Sequence, residues 1–150
     1  MKRFIVPFAI AVVICFSAAA FAVTFVTIGS GGVGGTYYPL GGSMAEVLSK
    51  ADIGVKANSR STAASKENCR LLAAEKVQLG MAMGSSLFMA YNGTDAFEKD
   101  GKLPLSILFN MYPAPQHLVT VARTGIEKFE DLKGKKVSIG APGSGNQVLT

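Results

Sequence analysis

The chain predicts an α/β fold built on a mostly parallel sheet. Three observations carry this reading. Apolar runs of strand length alternate with stretches of helical periodicity. The connections between them are short and polar, the usual signature of strand–helix–strand units. Glycine-rich loops stand where strands hand over to helices, at residues 29–35 and 140–145. No repeat of fixed period is present.

The elements follow in order. Residues 23–28 form an apolar strand that enters a loop with five glycines in the seven positions 29–35. Residues 36–50 read as a helix, with Leu40, Met44, Val47 and Leu48 on one face and Pro39 in the first turn. A short strand at 53–58 leads into Ser59-Arg60-Ser61-Thr62, hydroxyls suited to cap a helix over 62–76. Residues 77–83 read as a strand and 85–91 as a short helix, stopped by Asn92-Gly93. Residues 92–103 are polar and read as a surface excursion. Strands are expected at 105–112, 117–123 and 136–140, with a helical turn at 129–132 ended by Gly134. Residues 146–150 begin a further helix. Because the sequence stops within that first turn, the expectation is that these 150 residues are the front part of a longer protein.

The first 22 residues read as an export signal. Lys2 and Arg3 precede an apolar run over 4–16, and Ala20-Phe21-Ala22 offers an A-x-A cleavage site, so cleavage is placed after Ala22 and the protein in the periplasm. Cys15 follows Ile14, a poor context for lipid attachment. The rival reading is an uncleaved membrane anchor. Two of the 15 basic residues lie in this segment, leaving 13 against 10 acidic residues, a net charge of +3. That charge is too mild and scattered for nucleic acid. Lys133, Lys135 and Lys136 read as a solvated turn. The remaining cysteine, Cys69, shares a helical face with Leu72 and Ala73, which predicts a buried thiol.

Gly29-Ser30-Gly31-Gly32-Val33-Gly34 satisfies the dinucleotide-binding spacing. That pattern also needs an acid at the end of the next strand, where Ala57-Asn58 stands instead. Gly140-Ala141-Pro142-Gly143-Ser144-Gly145-Asn146 lacks the Lys-Ser/Thr of a Walker loop. Four strand-end segments, at 34–38, 59–65, 84–86 and 143–146, carry N–H groups, hydroxyls or amides. Open α/β sheets bind ligands at such ends. Tyr37 and Tyr38 serve either the core or a site wall. His117, the single histidine, begins an apolar strand and reads as structural. No zinc or iron set, nucleophile elbow or acid–base pair is apparent, so no catalytic residue, metal or cofactor is assigned.

Gly34-Gly35-Thr36-Tyr37-Tyr38-Pro39-Leu40-Gly41 closely resembles the signature of TAXI-type solute receptors, the binding proteins of tripartite ATP-independent periplasmic (TRAP) transporters. Ser61-Thr62-Ala63-Ala64-Ser65-Lys66-Glu67-Asn68 resembles the family's hydroxyl-rich helix start. Leu79-Gly80-Met81-Ala82, Ala90-Tyr91-Asn92-Gly93 and Tyr112-Pro113-Ala114-Pro115-Gln116-His117 follow in family order, as does Asp131-Leu132-Lys133-Gly134-Lys135-Lys136-Val137. Two departures stand out: Gly84-Ser85-Ser86 where a Gln-Ser pair is frequent, and Asn146 where a Thr is common.

The resemblance implies a type II periplasmic-binding-protein fold, with a first lobe over 23–122 and the hinge and start of a second lobe over 123–150, the remainder being absent. It implies a monomeric receptor that captures a small anionic solute, a carboxylate or an amino acid such as glutamate. The solute passes to the membrane permease subunits of a TRAP transporter. Gly35, Thr36, Tyr37 and Tyr38 would form one wall. Thr62, Ser65 and Asn68 would contact the solute from the second loop, Ser85 and Ser86 would supply hydroxyls, and Ser144, Gly145 and Asn146 would approach from the second lobe. Arg60 or Arg123 would assist. The competing readings are an exported α/β enzyme with catalytic groups beyond Thr150, and a periplasmic sensor domain.

Overall fold

The computed structural model describes residues 23–149; the segment read as an export signal, residues 1–22, and Thr150 lie outside the described residues. Three parallel strands form the sheet, in the order β2-β1-β3: β1 (Thr24–Gly29), β2 (Val55–Arg60) and β3 (Leu79–Gly80). β1 is central because it is the most apolar strand, and Ile28 is completely buried. It pairs with β2 from Thr24↔Val55 to Gly29↔Arg60, and with β3 at Ile28↔Leu79 and Gly29↔Gly80. All three carboxyl ends therefore lie on one side of the sheet.

One crossover runs from β1 to β2 and the next runs back from β2 past β1 to β3; crossovers of the usual right hand that travel in opposite directions place their helices on opposite faces. Helix α1 (Tyr37–Lys50) covers the face shown by Val55, Ala57 and Ser59, while Lys56, Asn58 and Arg60 stay exposed. Gly41 brings α1 down onto the strands. A Cβ there would lie 2.6 Å from Ser59 Oγ and 2.7 Å from Ser30 Cβ. At the other end of α1, Ser49 Oγ accepts the Ala57 N–H at 2.9 Å, satisfying an edge-strand donor that would otherwise stay open.

Helix α2 (Ser65–Ala73) carries the main internal fastening. The side-chain amide of Asn68, fully buried, lies within hydrogen-bond reach of three carbonyls: Gly29 at 3.0 Å, Ser30 at 2.8 Å and Met81 at 2.7 Å. Glycine makes this approach possible, since a Cβ on Gly29 would sit 2.6 Å from Asn68 Oδ1. The next residue, Cys69, is buried as expected and packs with Ala90 and Phe97.

Helix α3 (Gly84–Asn92) ends at Gly93, which adopts a left-handed φ of 68° and donates its N–H to Met89 O at 2.8 Å. The stop signal read at Asn92-Gly93 is thus the observed one. The segment after it departs from expectation in part. It stays largely at the surface, but a 3-10 turn (Asp95–Phe97) within it buries Phe97 completely. Phe97 closes the cluster with Cys69 and Ala90, and Leu103 packs against it. Arg70 lies over its ring, 5.5 Å from the centroid, and pairs with Asp100 at 2.6 Å.

The strands expected at 105–112, 117–123 and 136–140 do not form among the described residues. Their apolar side chains stay exposed, Val119 at 81% and Leu108 at 73%. A strand exists only against a neighbour's hydrogen-bonding edge, and no described strand lies beside these segments. Short 3-10 turns occur at Ala122–Thr124 and Phe129–Leu132, and a five-residue helix, α4 (Gly145–Leu149), follows the second glycine loop. Among the described residues no helix is long and apolar enough to cross a membrane.

Asn68→Leu removes the donor from three strand-end carbonyls. We expect it to destabilise the full-length protein by about 3 kcal/mol, read as a lowered urea midpoint; an unchanged midpoint would show that these carbonyls do not need the amide. A second expectation concerns pH. Burial pushes the Cys69 thiol from 9.0 up to about 11. Between those values the unfolded chain releases the proton while the folded chain keeps it, so stability falls as pH rises from about 9 towards 11. Cys69→Ala should lack this component of the pH profile, and identical profiles would refute it.

Candidate functional site

Parallel strands deliver their outgoing loops to one place, and the hydrogen bonds record how closely the loops meet. Gly31 O accepts from Ser61 Oγ at 3.0 Å and from the Thr62 N–H at 3.4 Å, which joins the first glycine loop to the loop after β2. Ser65 Oγ accepts the Met83 N–H at 3.1 Å, which joins the start of α2 to the segment after β3. The Lys66 N–H donates to Gly143 O at 3.0 Å, which seats the second glycine loop on the same helix start. A Cβ on Gly145 would lie 2.8 Å from Ser65 Oγ and 2.4 Å from Met83 Sδ, so only glycine lets that backbone come so close. Segments 59–65 and 143–146 thus touch directly, and Gly31 and Met83, just before the other two, bring those loops to the same helix start.

Their members differ in what they present. Thr36 and Gly35 are exposed on the loop before α1. Tyr37 is half-buried, and its ring meets Tyr112 edge-on at 6.5 Å between centroids. Burial, then the neighbouring Tyr112, raises its pKa, while the Ser65 side chain opposes the shift, so Tyr37 holds its proton near neutral pH. Tyr38 turns the other way, into a small groove with Gly42, Ala45, Ser49 and Ser59. The two-way reading of the tyrosine pair therefore resolves to Tyr37 beside the converging loops and Tyr38 away from them.

Thr62 is buried and its hydroxyl accepts the Ala64 N–H at 3.1 Å, while Ser65 is 1% exposed. Asn68 faces inward as the strand-end fastening and offers no surface to a solute. Ser86 is fully buried, and Ser85 borders the open cleft; neither hydroxyl has a hydrogen-bond partner among the described residues. Ser144 Oγ accepts the Gln147 N–H at 3.2 Å, and Asn146 Oδ1 accepts from Gln116 Nε2 at 3.1 Å. Arg60 is exposed on the sheet face opposite α1, and Arg123 is exposed in a 3-10 turn, so neither guanidinium joins the cluster.

Two participants were not legible beforehand. Met83 precedes α3, gives its N–H to Ser65, and lays its thioether against Gly145; nothing in Met81-Ala82-Met83 distinguishes it from a core residue. Ala64 holds φ 74° and ψ −137°, a conformation costing on the order of 1–3 kcal/mol outside glycine. It is pinned there by Thr62 Oγ1 on its N–H and by the Asn68 N–H on its carbonyl at 2.8 Å. The sequence offers no signal for a strained alanine.

A cleft of about 1050 Å³ opens from this corner, bounded by Tyr37, Met83, Gly84 and Ser85 at one end and by residues 104–114 along its far side. Gly84 has nothing within 4 Å of where a Cβ would stand, which leaves room at the start of α3 for another molecule to approach the backbone. Among the described residues no group of three His, Cys, Asp or Glu side chains is placed to hold a metal ion.

The NMT1-like family matches residues 28–150, from the buried end of β1 through every loop that reaches the corner. With the match spanning all four segments, the chain belongs to the NMT1-like family, a family of the periplasmic-binding type whose general role is solute binding.

Proposed function

We propose that this protein is an extracytoplasmic receptor that captures a small carboxylate and hands it to a TRAP-type permease driven by an ion gradient. The observation that carries the reading is the meeting of the strand-to-helix loops at one corner, where Gly31, Ser61, Thr62, Ser65, Met83 and Gly143 join through hydrogen bonds. Neutral donors stabilise an anion through many small dipoles and release it more readily than a buried arginine pair would. That balance suits a carrier that must unload. Export, cleavage after Ala22 and passage to the permease belong to the same proposal, supported by the leader-like first 22 residues and the resemblance to TAXI-type receptors.

In this reading residues 23–122 form the first lobe and residues 123–150 the hinge and the start of the second. The Lys66–Gly143 hydrogen bond and the Gly145 contact on Ser65 and Met83 are then contacts between lobes in a closed arrangement. A solute touching both sides favours closure by its extra contacts.

The test is isothermal calorimetry on the full-length mature protein with a panel of carboxylates and amino acids. Saturable heat without product formation supports the receptor, and turnover overturns it in favour of an exported enzyme. Gly84→Val sharpens the test. Open space surrounds that position, so the unfolding midpoint should hold while affinity drops at least about tenfold, near 1.4 kcal/mol. Unaltered affinity would remove the start of α3 from the site.

A further inference from the structure

We propose that the second glycine loop is a latch: its own backbone occupies the start of α2, and a solute reaches that helix start only by displacing it. The inference rests on the receptor reading and adds how access to the site is controlled. It comes from where the donors of the corner are spent.

The Lys66 N–H, in the first turn of α2, donates to Gly143 O at 3.0 Å. An N–H in a helix's first turn is a natural partner for an anionic oxygen, and here the protein's own carbonyl takes it. Beside it the Ser65 hydroxyl is covered. Ser65 is 1% exposed, and a Cβ on Gly145 would come within 2.8 Å of its Oγ. The donors around this pair are spent on near neighbours. The Ala63 N–H goes to Glu67 Oε2, the Ala64 N–H to Thr62 Oγ1 and the Met83 N–H to Ser65 Oγ. Lifting residues 143–146 therefore frees one N–H and uncovers one hydroxyl without breaking any of those bonds.

The loop is built to move as a unit. Ser144 Oγ accepts the Gln147 N–H at 3.2 Å, and Gln147 Oε1 accepts the Gly143 N–H at 2.6 Å, reciprocal bonds that fix its shape from within. Its hold on the helix start is slighter: the Lys66–Gly143 hydrogen bond, with Gly143 packed on Ala63 and Gly145 on Ser65 and Met83. The helix cannot follow the loop, because Asn68 ties it to three strand-end carbonyls. Apparent affinity then scales with the fraction of molecules in which the loop is lifted.

A disulfide tests the latch. A Cβ on Gly143 would lie 3.4 Å from Ala63 Cβ, close to the separation a disulfide spans, and Cys69 is fully buried and stays out of the exchange. Calorimetry on full-length mature protein carrying Ala63→Cys and Gly143→Cys compares its oxidised and reduced forms, with glutamate, glutarate and 4-methylpentanoate as probes. Comparing two forms of one variant cancels the strain of a side chain at φ 86°. Oxidation should weaken binding at least about tenfold, and dithiothreitol should restore it. Oxidised protein that binds as tightly as reduced protein, or more tightly, overturns the latch and leaves the receptor reading intact; so do thiols that fail to pair. If the wild-type protein binds none of the three probes, the receptor reading falls and this inference with it. Gln147→Ala, at an exposed position, loosens the loop alone. Affinity should rise about three- to tenfold with an unchanged unfolding midpoint. Affinity that stays level or falls overturns the latch.

Discussion

The side-chain amide of Asn68 is the constraint on which the rest of the structure leans. A parallel sheet leaves carbonyls at its strand ends just where the chain must turn away. Here three of them, on Gly29, Ser30 and Met81, point at one buried amide from the neighbouring helix. Because the amide reaches past β1 to the segment after β3, it fixes where α2 begins relative to both. Every later contact at the corner inherits that placement. Ser65, three residues earlier on α2, meets the Met83 N–H and the backbone of Gly145 because Asn68 has already set the helix.

The same constraint explains why the glycines matter unequally. Gly29 and Gly41 are needed by the protein itself, since a Cβ would strike Asn68 in one case and Ser59 and Ser30 in the other. Gly32, Gly34 and Gly84 face open space and hold no left-handed backbone angle. Internal packing does not require glycine at those positions, so their lack of a side chain is free to serve close approach by something else. Structural need and access for a solute are thus separated along one chain.

Much of this was legible in sequence, for identifiable reasons. The strand–helix alternation over residues 23–93 is local, written in periodicity and in turn chemistry such as Asn92-Gly93, and its order appears as expected, although the strand read over 77–83 keeps only Leu79–Gly80. The burial of Cys69 followed from helical spacing alone. The three later strands were equally apolar, yet an apolar run specifies only a willingness to pair; the partner edge is a property of the whole sheet. Phe97 was misjudged because its polar neighbours outvoted it, whereas one ring at the right point closes a core. Asn68 was assigned to the solute through the resemblance to solute receptors. Its inward rotamer depends on carbonyls 13 and 39 positions away, which no local pattern encodes.

What remains at the corner is a concentration of broken local rules. Ala64 holds a backbone conformation that suits glycine. Asn68 Oδ1 and the hydroxyls of Ser85 and Ser86 are buried without partners among the described residues. Elsewhere in the described chain Asp52, Glu75 and Asp95 also hold left-handed angles and the Ser59 hydroxyl is also buried without a partner, so what sets the corner apart is its group of three unsatisfied polar atoms rather than strain. Sequences that fold well satisfy local and global demands together, and departures gather where another demand competes. Unsatisfied polar atoms where the loops meet mark a place at which internal packing yields to another demand.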